Sequence, residues 1–432
     1  MRFDGADLAA ALDGRLEGTD VVVDGISIDS RDVMPGQLFV ALRAERDGHE
    51  FVAAAAAAGA AAALVDRPVD GVPSIVVADT AAALTRIGSL ARSRLPDRVV
   101  GITGSVGKTT TKDLLASALA SRFVTTASQR SFNNELGVPI TLANAPGDTE
   151  VAVIEMGSRG IGHISFLCSI ARPTVGVVTA VAAVHTETLG GIDGVAVAKR
   201  ELVESLPVDG LAVLNADDVR VAAMAPHTEA EVLTFGTAAG AIRASGVTID
   251  LELHPSFVLE SPWGSGRVTL GARGVHNVGN ALAASAAGLW LGVGFDEVIA
   301  GLEAPTMSSW RMELLRSAAG GTVLNDAYNA GPASMAAALR SLSALPADRR
   351  IAVLGVMAEL GASAPEEHAA VAELAADLGV EVIAVGTDLY GVEAVDDPDS
   401  AVARLGEVGP GVAVLVKGSR VAGLERVAAM LT

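Results

Sequence analysis

The sequence predicts an α/β protein of three domains, and two observations carry this prediction. The chain has 432 residues, more than one hydrophobic core usually organises. In its middle and last third, apolar runs of strand length alternate with helical stretches. Because these runs are apolar on both faces, they favour parallel sheets covered by helices on two sides. We therefore expect domains at residues 1–96, 97–313 and 314–432.

The first domain is predicted to be a small α/β unit. Short β-branched runs surround an alanine-rich run from Val52 to Val65, which predicts a buried or half-buried helix. Pro96, in the turn-like segment RSRLPDR, marks the first boundary.

The central domain is predicted to hold a parallel sheet, with a small antiparallel part between Ile242 and Leu270 followed by a helix. Its parallel strands are expected at VVGIT, VAVIEM, TVGVVTAV, GLAVLNA and EVLTFG. The third domain repeats the alternation and is expected to be Rossmann-like, with strands at GTVLNDAY, RRIAVLGV, VEVIAVG and GVAVLVKG. Ligands of such sheets lie at the carboxyl ends of the strands.

Composition and charge exclude several classes of function. The chain has 31 basic and 51 acidic residues, a net charge of −20, which disfavours binding to nucleic acid or anionic lipid. Cys168 is the only cysteine, so an intrachain disulfide and a cysteine zinc cluster are excluded. No signal peptide or run long enough to cross a bilayer is found. We expect a monomeric cytoplasmic protein that is not inserted in a membrane.

The segment GITGSVGKTTTKD, residues 101–113, resembles a phosphate-binding loop, although Ile102 stands where the strict motif has glycine. A strand precedes it and a helix is predicted to begin at Lys108, so backbone N–H groups and the helix dipole would surround phosphate oxygens. A tight turn without a ligand is the alternative. The candidate nucleotide-binding residues are Gly104, Ser105, Val106, Gly107, Lys108, Thr109 and Thr110.

Three further residues are candidates for the chemistry. Glu155 ends a buried strand, where a carboxylate can hold magnesium; otherwise it is a solvated surface residue. His185 follows another strand of the same sheet and is either a metal ligand or a structural hydrogen-bonding group. Lys199 lies on a helix with a buried apolar face, and most helical lysines are solvated.

Together these residues resemble the Mur ligase family, the ATP-dependent amino-acid and peptide ligases of peptidoglycan precursor synthesis. The resemblance covers essentially the whole chain. The motifs that carry it are TGSVGKTTTKD, SFNNELGVPITL, EMGSRGIGHI, AVHTETLGGIDGVAVAKREL, LNADD, GVHNVGNALAA, WRMEL, NDAYNAGPASM, VLGVMAELG and VLVKGSR.

The resemblance implies a role for residues throughout the chain. Lys108 and Thr109 would bind the β- and γ-phosphates of ATP and Mg²⁺, with Thr109, Glu155, His185 and Lys199 as the metal-holding set and Lys199 carbamylated by CO₂. Asn280 would contact adenine, and Arg311, Asp326 and Tyr328 would complete the ATP site from the third domain. Ser30, Arg31, Asp47 and His49 would bind the uridine diphosphate, and Lys417, Ser419 and Arg420 the amino substrate or peptide. Solvated loops are the alternative for the last two sets.

NNELGVPITL, EMGSRGIGHI and NDAYNA are most similar to the family member that joins D-alanyl-D-alanine to UDP-N-acetylmuramoyl-tripeptide through an acyl phosphate. Gly331 and Val356 depart from that member's usual pattern, where asparagine and aspartate are expected. A related ligase that adds a single amino acid, or glutamate to a folate, is the nearest alternative. A catalytically silent ATP-binding module is the alternative of another class. The third residue of the tripeptide, lysine or diaminopimelate, is left open.

Overall fold

The computed structural model describes residues 1–129, 132–182 and 189–432, and it confirms the α/β class. The predicted domain boundaries at 96/97 and 313/314 stay predictions. Within the described residues, the strands form sheets of two, five, nine and five strands. None of the helices in those ranges has the length and apolar character needed to cross a membrane.

The first part of the chain forms a two-stranded antiparallel sheet, β1-β3, and a five-stranded sheet in the order β2-β7-β6-β5-β4. Its elements are β1 (Arg2–Asp4), α1 (Gly5–Ala11), β2 (Arg15–Glu17), β3 (Val22–Asp24), β4 (Ile26–Ser27), β5 (Leu38–Val40), a 3₁₀ turn (Gly48–Phe51), α2 (Val52–Ala57), β6 (Ala62–Val65), β7 (Ser74–Val76) and α3 (Thr80–Arg92).

The prediction of one helix from Val52 to Val65 is wrong in its second half. Helix α2 ends at Ala57, and Gly59 has φ +104°, a conformation that costs glycine little and alanine much. The chain therefore reverses, and β6 lies fully buried between β5 and β7. Alanine and valine in a row do not distinguish a helix from a buried strand, so the glycine was the informative residue.

The central sheet has nine strands in the order β16-β15-β14-β13-β12-β11-β8-β10-β9. Its elements are β8 (Val99–Thr103), α4 (Lys108–Leu119), β9 (Thr125–Ala127), α5 (Gly137–Ala143), β10 (Val151–Glu155), α6 (His163–Ala171), β11 (Val175–Val178), α7 (Ile192–Glu204), β12 (Leu211–Asn215), α8 (Val219–Ala222), a 3₁₀ turn (Ala225–His227), β13 (Glu231–Gly236), β14 (Ile242–Ile249), β15 (Pro255–Ser261), β16 (Gly264–Thr269), α9 (Asn277–Trp290) and α10 (Phe295–Glu303).

The strands from β8 to β14 pair in parallel, whereas β14, β15 and β16 pair antiparallel, which confirms the small antiparallel part and shows that it extends the same sheet. One hydrophobic cluster continues from the N-terminal sheet to the face of the central sheet, where α3 packs on α5. Gly88 makes this crossing close, since a Cβ there would lie 2.7 Å from the Cα of Pro139. The second face is covered by α4, α9 and α10.

The last sheet has the order β17-β18-β21-β19-β20 and is parallel except for β17. Helices cover both of its faces, as the alternating pattern predicts. Its elements are β17 (Glu313–Arg316), β18 (Thr322–Asn325), α11 (Pro332–Ala344), β19 (Arg349–Gly355), a 3₁₀ turn (Gly361–Ser363), α12 (Ala364–Asp377), β20 (Glu381–Val385), α13 (Pro398–Leu405), β21 (Val412–Lys417), a 3₁₀ turn (Arg420–Ala422) and α14 (Glu425–Leu431).

Candidate active site

The glycines of the phosphate-loop motif have the conformation and surroundings that such a loop needs. Strand β8 ends at Thr103 and α4 begins at Lys108, with Gly104 at φ +146° and Gly107 at φ +85°. A Cβ would lie 1.9 Å from the Thr179 hydroxyl at Gly104, and 2.2 Å from the Asn280 side-chain oxygen at Gly107. Neither position can carry a side chain. Ile102 lies inside β8 and is fully buried, so the core explains the departure from the strict motif.

The segment that follows β11 forms hydrogen bonds with this loop. The Ser105 backbone N–H donates to the Ala180 carbonyl at 2.8 Å, and the Ser105 hydroxyl lies 2.9 Å from the Ala182 amide, which donates to it. The Thr179 hydroxyl donates to the Val106 carbonyl at 2.6 Å. Lys108 Nζ lies back over the loop and donates to the Gly104 carbonyl at 2.6 Å. The loop conformation is thus fixed by hydrogen bonds, while Thr110 is buried in the first turn of α4.

Glu155, at the end of β10, is buried and oriented from two sides. The Thr109 hydroxyl donates to Oε2 and the Asn133 amide donates to Oε1, each at 2.8 Å. A carboxylate has about four acceptor sites, so both oxygens keep capacity for a cation. A buried carboxylate beside a hydroxyl suits Mg²⁺, which prefers oxygen ligands. Asn133 is a contact that sequence reasoning did not single out, although it lies in the SFNNELG segment.

Not all of the predicted metal-holding residues lie in the described ranges. His185 lies outside the described residues. In the described ranges, no group of three or more His, Cys, Asp or Glu side chains forms a cluster that could hold a metal ion. Of the predicted set, Thr109, Glu155 and Lys199 lie in the described ranges, and the metal-binding role of all four residues stays a prediction.

Lys199, on α7, is 2% exposed, and its Nζ donates to the Ser158 hydroxyl at 2.6 Å. Burial lowers the pKa of Lys199 well below its ordinary value; the nearby charge of Lys108 lowers it further, and Glu201 opposes the shift. The lowered pKa increases the share of neutral amine at a given pH, and a neutral amine is a nucleophile. Ser158 is a second contact that the sequence did not reveal, since a serine in a loop carries no distinctive signal.

Arg311, which precedes β17 of the last sheet, contacts the residue that follows Lys108 of the phosphate loop. Its Nη2 donates to the Thr109 hydroxyl at 3.0 Å, and its guanidinium lies 4.1 Å from the centroid of the Tyr328 ring. The Nε of Arg311 is buried without a hydrogen-bond partner. A buried N–H without a partner is costly, so Arg311 keeps one unused donor in addition to the Nη2 group that contacts Thr109.

Asn280 lies against Gly107, where its amide donates to the Asn277 side-chain oxygen at 2.7 Å and its oxygen accepts from Thr111 at 3.3 Å. The adenine contact predicted for it stays a prediction. What the geometry shows is that Asn280 supports the phosphate loop.

Asp326 and Lys417 form a buried ion pair, and Asp326 also accepts from the Met312 amide at 3.2 Å. Burial lowers the pKa of Lys417, while Asp326 opposes that shift. The Ser419 hydroxyl accepts a hydrogen bond from the Ala358 amide at 2.9 Å. Of the predicted group Lys417, Ser419 and Arg420, the first two are buried, and Arg420 is the exposed member.

Arg420 lies over the Trp310 ring, 4.5 Å from its centroid, and its Nη1 is 2.8 Å from the Glu425 carboxylate. Trp310 belongs to the connection between α10 and β17, so this contact joins that connection to the loop after β21.

The predicted uridine-diphosphate residues fall into two pairs. Ser30 and Arg31 lie on a loop; the Arg31 side chain is 85% exposed and holds the Asp29 carboxylate with two N–H groups, at 2.9 and 2.6 Å. His49 is buried instead, with Nδ1 2.6 Å from the Asp47 carboxylate and Nε2 accepting the Asp66 amide at 3.1 Å. Because Nε2 accepts, a neutral ring carries its proton on Nδ1 and donates it to Asp47.

Asp47 also accepts from Arg67 at 2.7 Å, and this contact and the hydrogen bonds from His49 lower the pKa of Asp47. Buried His49 and the partly exposed Asp47 are therefore members of one hydrogen-bonded network, while Arg31 is exposed and Ser30 beside it is half-buried.

Comparison with known families matches three consecutive parts of the chain. Residues 22–90 match the Mur ligase family catalytic domain, residues 102–288 the Mur ligase middle domain, and residues 310–420 the Mur ligase glutamate ligase domain. The chain belongs to the Mur ligase family and is an ATP-dependent, ADP-forming peptide ligase. Ligases of this family use ATP with Mg²⁺.

The relatives of 30% identity or more include ligases that carry one name. It is 36% identical to the UDP-N-acetylmuramoyl-tripeptide–D-alanyl-D-alanine ligase of Escherichia coli K12, over 98% of this chain and 96% of that protein. It is 39% identical to the ligase of the same name from Mycobacterium tuberculosis H37Rv, over 94% of this chain and 92% of that one.

Solved structures agree with this similarity. A crystal structure of MurF from Acinetobacter baumannii has a TM-score of 0.89 and 31% identity, covering 100% of this chain and 99% of that one. MurF ligase from Thermotoga maritima in complex with ADP has a TM-score of 0.78 and 26% identity, covering 94% of this chain and 97% of that one.

Proposed function

We propose that this protein joins D-alanyl-D-alanine to UDP-N-acetylmuramoyl-tripeptide, forming the pentapeptide precursor of peptidoglycan while ATP is converted to ADP and phosphate. The observation that carries the proposal is the meeting of the phosphate loop, Glu155 and Lys199 at one edge of the central sheet, with Arg311 reaching Thr109 from the last part of the chain. The names of the relatives supply the substrates.

The chemistry requires activation of a carboxylate, because a carboxylate is a poor electrophile and amide formation in water is uphill. The terminal carboxylate of the tripeptide attacks the γ-phosphorus of ATP, and ADP leaves with the electrons of the broken P–O bond. The amine of D-alanyl-D-alanine then attacks the acyl phosphate. The tetrahedral adduct loses phosphate and the nitrogen loses a proton, which leaves the amide.

The main obstacle is repulsion between the triphosphate and the attacking carboxylate. Lys108 supplies a positive charge at the loop, and Arg311 supplies a second one with an unused N–H donor. Mg²⁺, held by Thr109, Glu155 and His185, would offset the remaining negative charge of the phosphates. Burial of this edge keeps water from the acyl phosphate, which water would otherwise hydrolyse.

Lys199 acts in the carbamylated form. Its neutral amine attacks CO₂, forming an N–C bond as one C=O electron pair moves to oxygen and the nitrogen loses a proton. The product is an anion in place of an ammonium, and an anion can serve as a ligand for a second Mg²⁺. The lowered pKa of Lys199 supports this step, because it increases the share of the reactive neutral amine at a given pH.

The other predicted residues are assigned to the nucleotide, the uridine diphosphate or the amino substrate. Asn280 and Tyr328 contribute to the nucleotide site, and Asp326 positions Arg311 through the Met312 amide. Ser30 and Arg31 bind the uridine diphosphate, and Asp47 and His49 support that surface from within. Arg420 contacts the amino substrate or peptide, with Lys417 and Ser419 holding its loop. The proposal also includes that the protein is a monomer and works in the cytoplasm.

The test is release of phosphate from ATP in the presence of UDP-N-acetylmuramoyl-tripeptide, with D-alanyl-D-alanine, D-alanine, L-lysine or L-glutamate added in turn. We expect D-alanyl-D-alanine alone to stimulate release and to yield the pentapeptide by mass spectrometry. Stimulation by a single amino acid would identify another ligase of the family. No stimulation by any of them, with ATP still bound, would identify a silent ATP-binding module.

A further inference from the structure

A cluster of three charged or titratable side chains, Glu135, Arg159 and His163, lies beside the proposed site and has no part in the mechanism above. The Glu135 carboxylate is 3.1 Å from His163 Nε2 and 3.5 Å from Arg159 Nη1. The Arg159 backbone N–H donates to His163 Nδ1 at 3.1 Å. Since that N–H can only donate, the neutral ring carries its proton on Nε2 and donates it to Glu135. His163 therefore orients the carboxylate.

The two segments that carry the cluster also carry the residues that contact Glu155 and Lys199. Asn133, two residues before Glu135, donates to Glu155 Oε1, and Ser158, next to Arg159, accepts from Lys199. The segments are joined directly, because the Gly157 amide donates to the Asn133 carbonyl at 2.7 Å.

The position of the cluster relative to the phosphate loop follows from Glu155. One of its oxygens faces Thr109 of the loop, and the other faces Asn133. The cluster therefore lies beyond Glu155 as seen from the phosphate loop. A substrate whose carboxylate attacks the γ-phosphate must extend the rest of its last residue away from the loop, and this side of Glu155 is one direction that leads away from it.

The charges of the cluster are available to such a substrate. The side chain of Arg159 is 69% exposed and that of Glu135 is 40% exposed, and their mutual contact at 3.5 Å is long for a charge-assisted hydrogen bond. A ligand with both an ammonium and a carboxylate could exchange this one weak contact for two stronger ones. A ligand with an ammonium alone would pair with Glu135 and leave Arg159 without a new partner.

We propose that Glu135 and Arg159 bind the side chain of the third residue of the tripeptide, and that this residue is diaminopimelate, whose side chain ends in an ammonium and a carboxylate, and not lysine. Glu135 accepts from the ammonium and Arg159 donates to the carboxylate. This inference rests on the proposed function, because it assigns the substrate of the same site.

The test is steady-state kinetics with two UDP-N-acetylmuramoyl-tripeptides, one ending in meso-diaminopimelate and one in L-lysine. We expect kcat/KM to be about tenfold higher for the diaminopimelate substrate, as two charged contacts against one imply. Arg159→Gln should raise KM for that substrate about tenfold and change KM for the lysine substrate less than twofold. Glu135→Gln should raise KM for both.

The matched control is Arg243→Gln, which removes an exposed arginine paired with Glu260 at 3.1 Å on the antiparallel part of the sheet, and it should alter neither substrate's KM. Equal or better use of the lysine substrate by the wild type, or an equal effect of Arg159→Gln on both substrates, would overturn the inference while leaving the ligase function intact. If D-alanyl-D-alanine stimulated phosphate release with neither tripeptide, the proposed function would fail and the inference with it.

Discussion

The phosphate-loop edge of the central sheet and the loops of the N-terminal sheet were both predicted to bind ligands, and they are built differently. At the sheet edge, the predicted residues contact one another: Thr109 donates to Glu155, and Arg311 donates to Thr109. In the N-terminal part, Arg31 holds Asp29, and Asp47 holds Arg67 and His49. At the sheet edge the contacts join predicted residues from distant parts of the chain. In the loops, Arg31 and Asp47 pair with Asp29 and Arg67, which were not predicted, and the one contact between predicted residues joins the near neighbours Asp47 and His49.

The difference follows from how each region is positioned. Parallel strands end at the same edge, so residues far apart in the chain, such as Thr109 and Glu155, are brought together by the sheet itself. A loop residue is positioned instead by whichever hydrogen-bond partner lies near it, such as Asp29 for Arg31, two residues away, or Arg67 for Asp47, 20 residues away. If this difference holds, variants at the sheet edge should impair the chemistry, and variants in the N-terminal loops should impair substrate binding or stability.

The largest effect is expected from Lys108→Ala. Loss of the positive charge at the phosphate loop should lower kcat/KM roughly a thousandfold, because phosphoryl transfer depends on charge compensation. The assay is tripeptide-dependent phosphate release, with thermal unfolding to show that the variant is folded. Activity within tenfold of the wild type would mean that the sheet edge is not the reacting site.

Lys199→Ala should lower kcat roughly a hundredfold, and acetate should restore part of the activity by replacing the missing carboxylate. In the wild type, ¹³CO₂ should give a carbamate resonance by ¹³C NMR that is absent from the variant. The intensity of the resonance should depend on pH. The neutral amine of Lys199 is lost as pH falls through its lowered pKa, so the resonance should weaken in acid. A resonance of equal intensity in the variant would contradict the assignment.

Arg31→Ala tests the surface pair of the N-terminal loops. It should raise KM for the UDP substrate about tenfold while KM for ATP changes less than twofold, because the lost contact is to the diphosphate alone. Arg15→Ala is the matched control, since Arg15 is also exposed and paired with an acidic neighbour, Glu17, at 2.6 Å. A similar change in both variants would remove Arg31 from the substrate site.

Of the four variants, Asp47→Asn should have the smallest effect on kinetics. It should instead lower the stability of the folded protein. The folded state lowers the pKa of Asp47, so this carboxylate stabilises the protein above its ordinary pKa of about 4, and the contribution is lost as pH falls through the lowered value. The thermal midpoint of the variant should lie below that of the wild type at neutral pH, and the gap should narrow below about pH 4. Asp13→Asn, which removes an exposed partner of Arg86, is the control.

A change in KM for the UDP substrate at Asp47→Asn as large as that at Arg31→Ala would contradict the division of the four loop residues into a pair that binds substrate and a pair that belongs to the hydrogen-bonded network.

Much of the fold could be predicted from the chain because the patterns are periodic and long. The strands β8, β10, β11, β12 and β13, and the four strands β18 to β21, lie where apolar runs predicted them. The failure at Val52 to Val65 occurred where the run is short and alanine fits either element, and Gly59 decided between them. The spacing of Gly104, Gly107 and Lys108 was enough to predict the phosphate loop, because that motif is local.

What the sequence by itself determined is therefore the strands of the central and last sheets that lie in long apolar runs, the phosphate loop and the family. The tertiary structure alone decided which side chains meet: that Asn133 orients Glu155, that Ser158 contacts Lys199, that Arg311 reaches Thr109, and that His49 turns inward. The physical reason is that backbone conformation depends on nearby residues, whereas a hydrogen bond between distant side chains depends on how helices and sheets pack, and that packing leaves no short-range pattern in the chain.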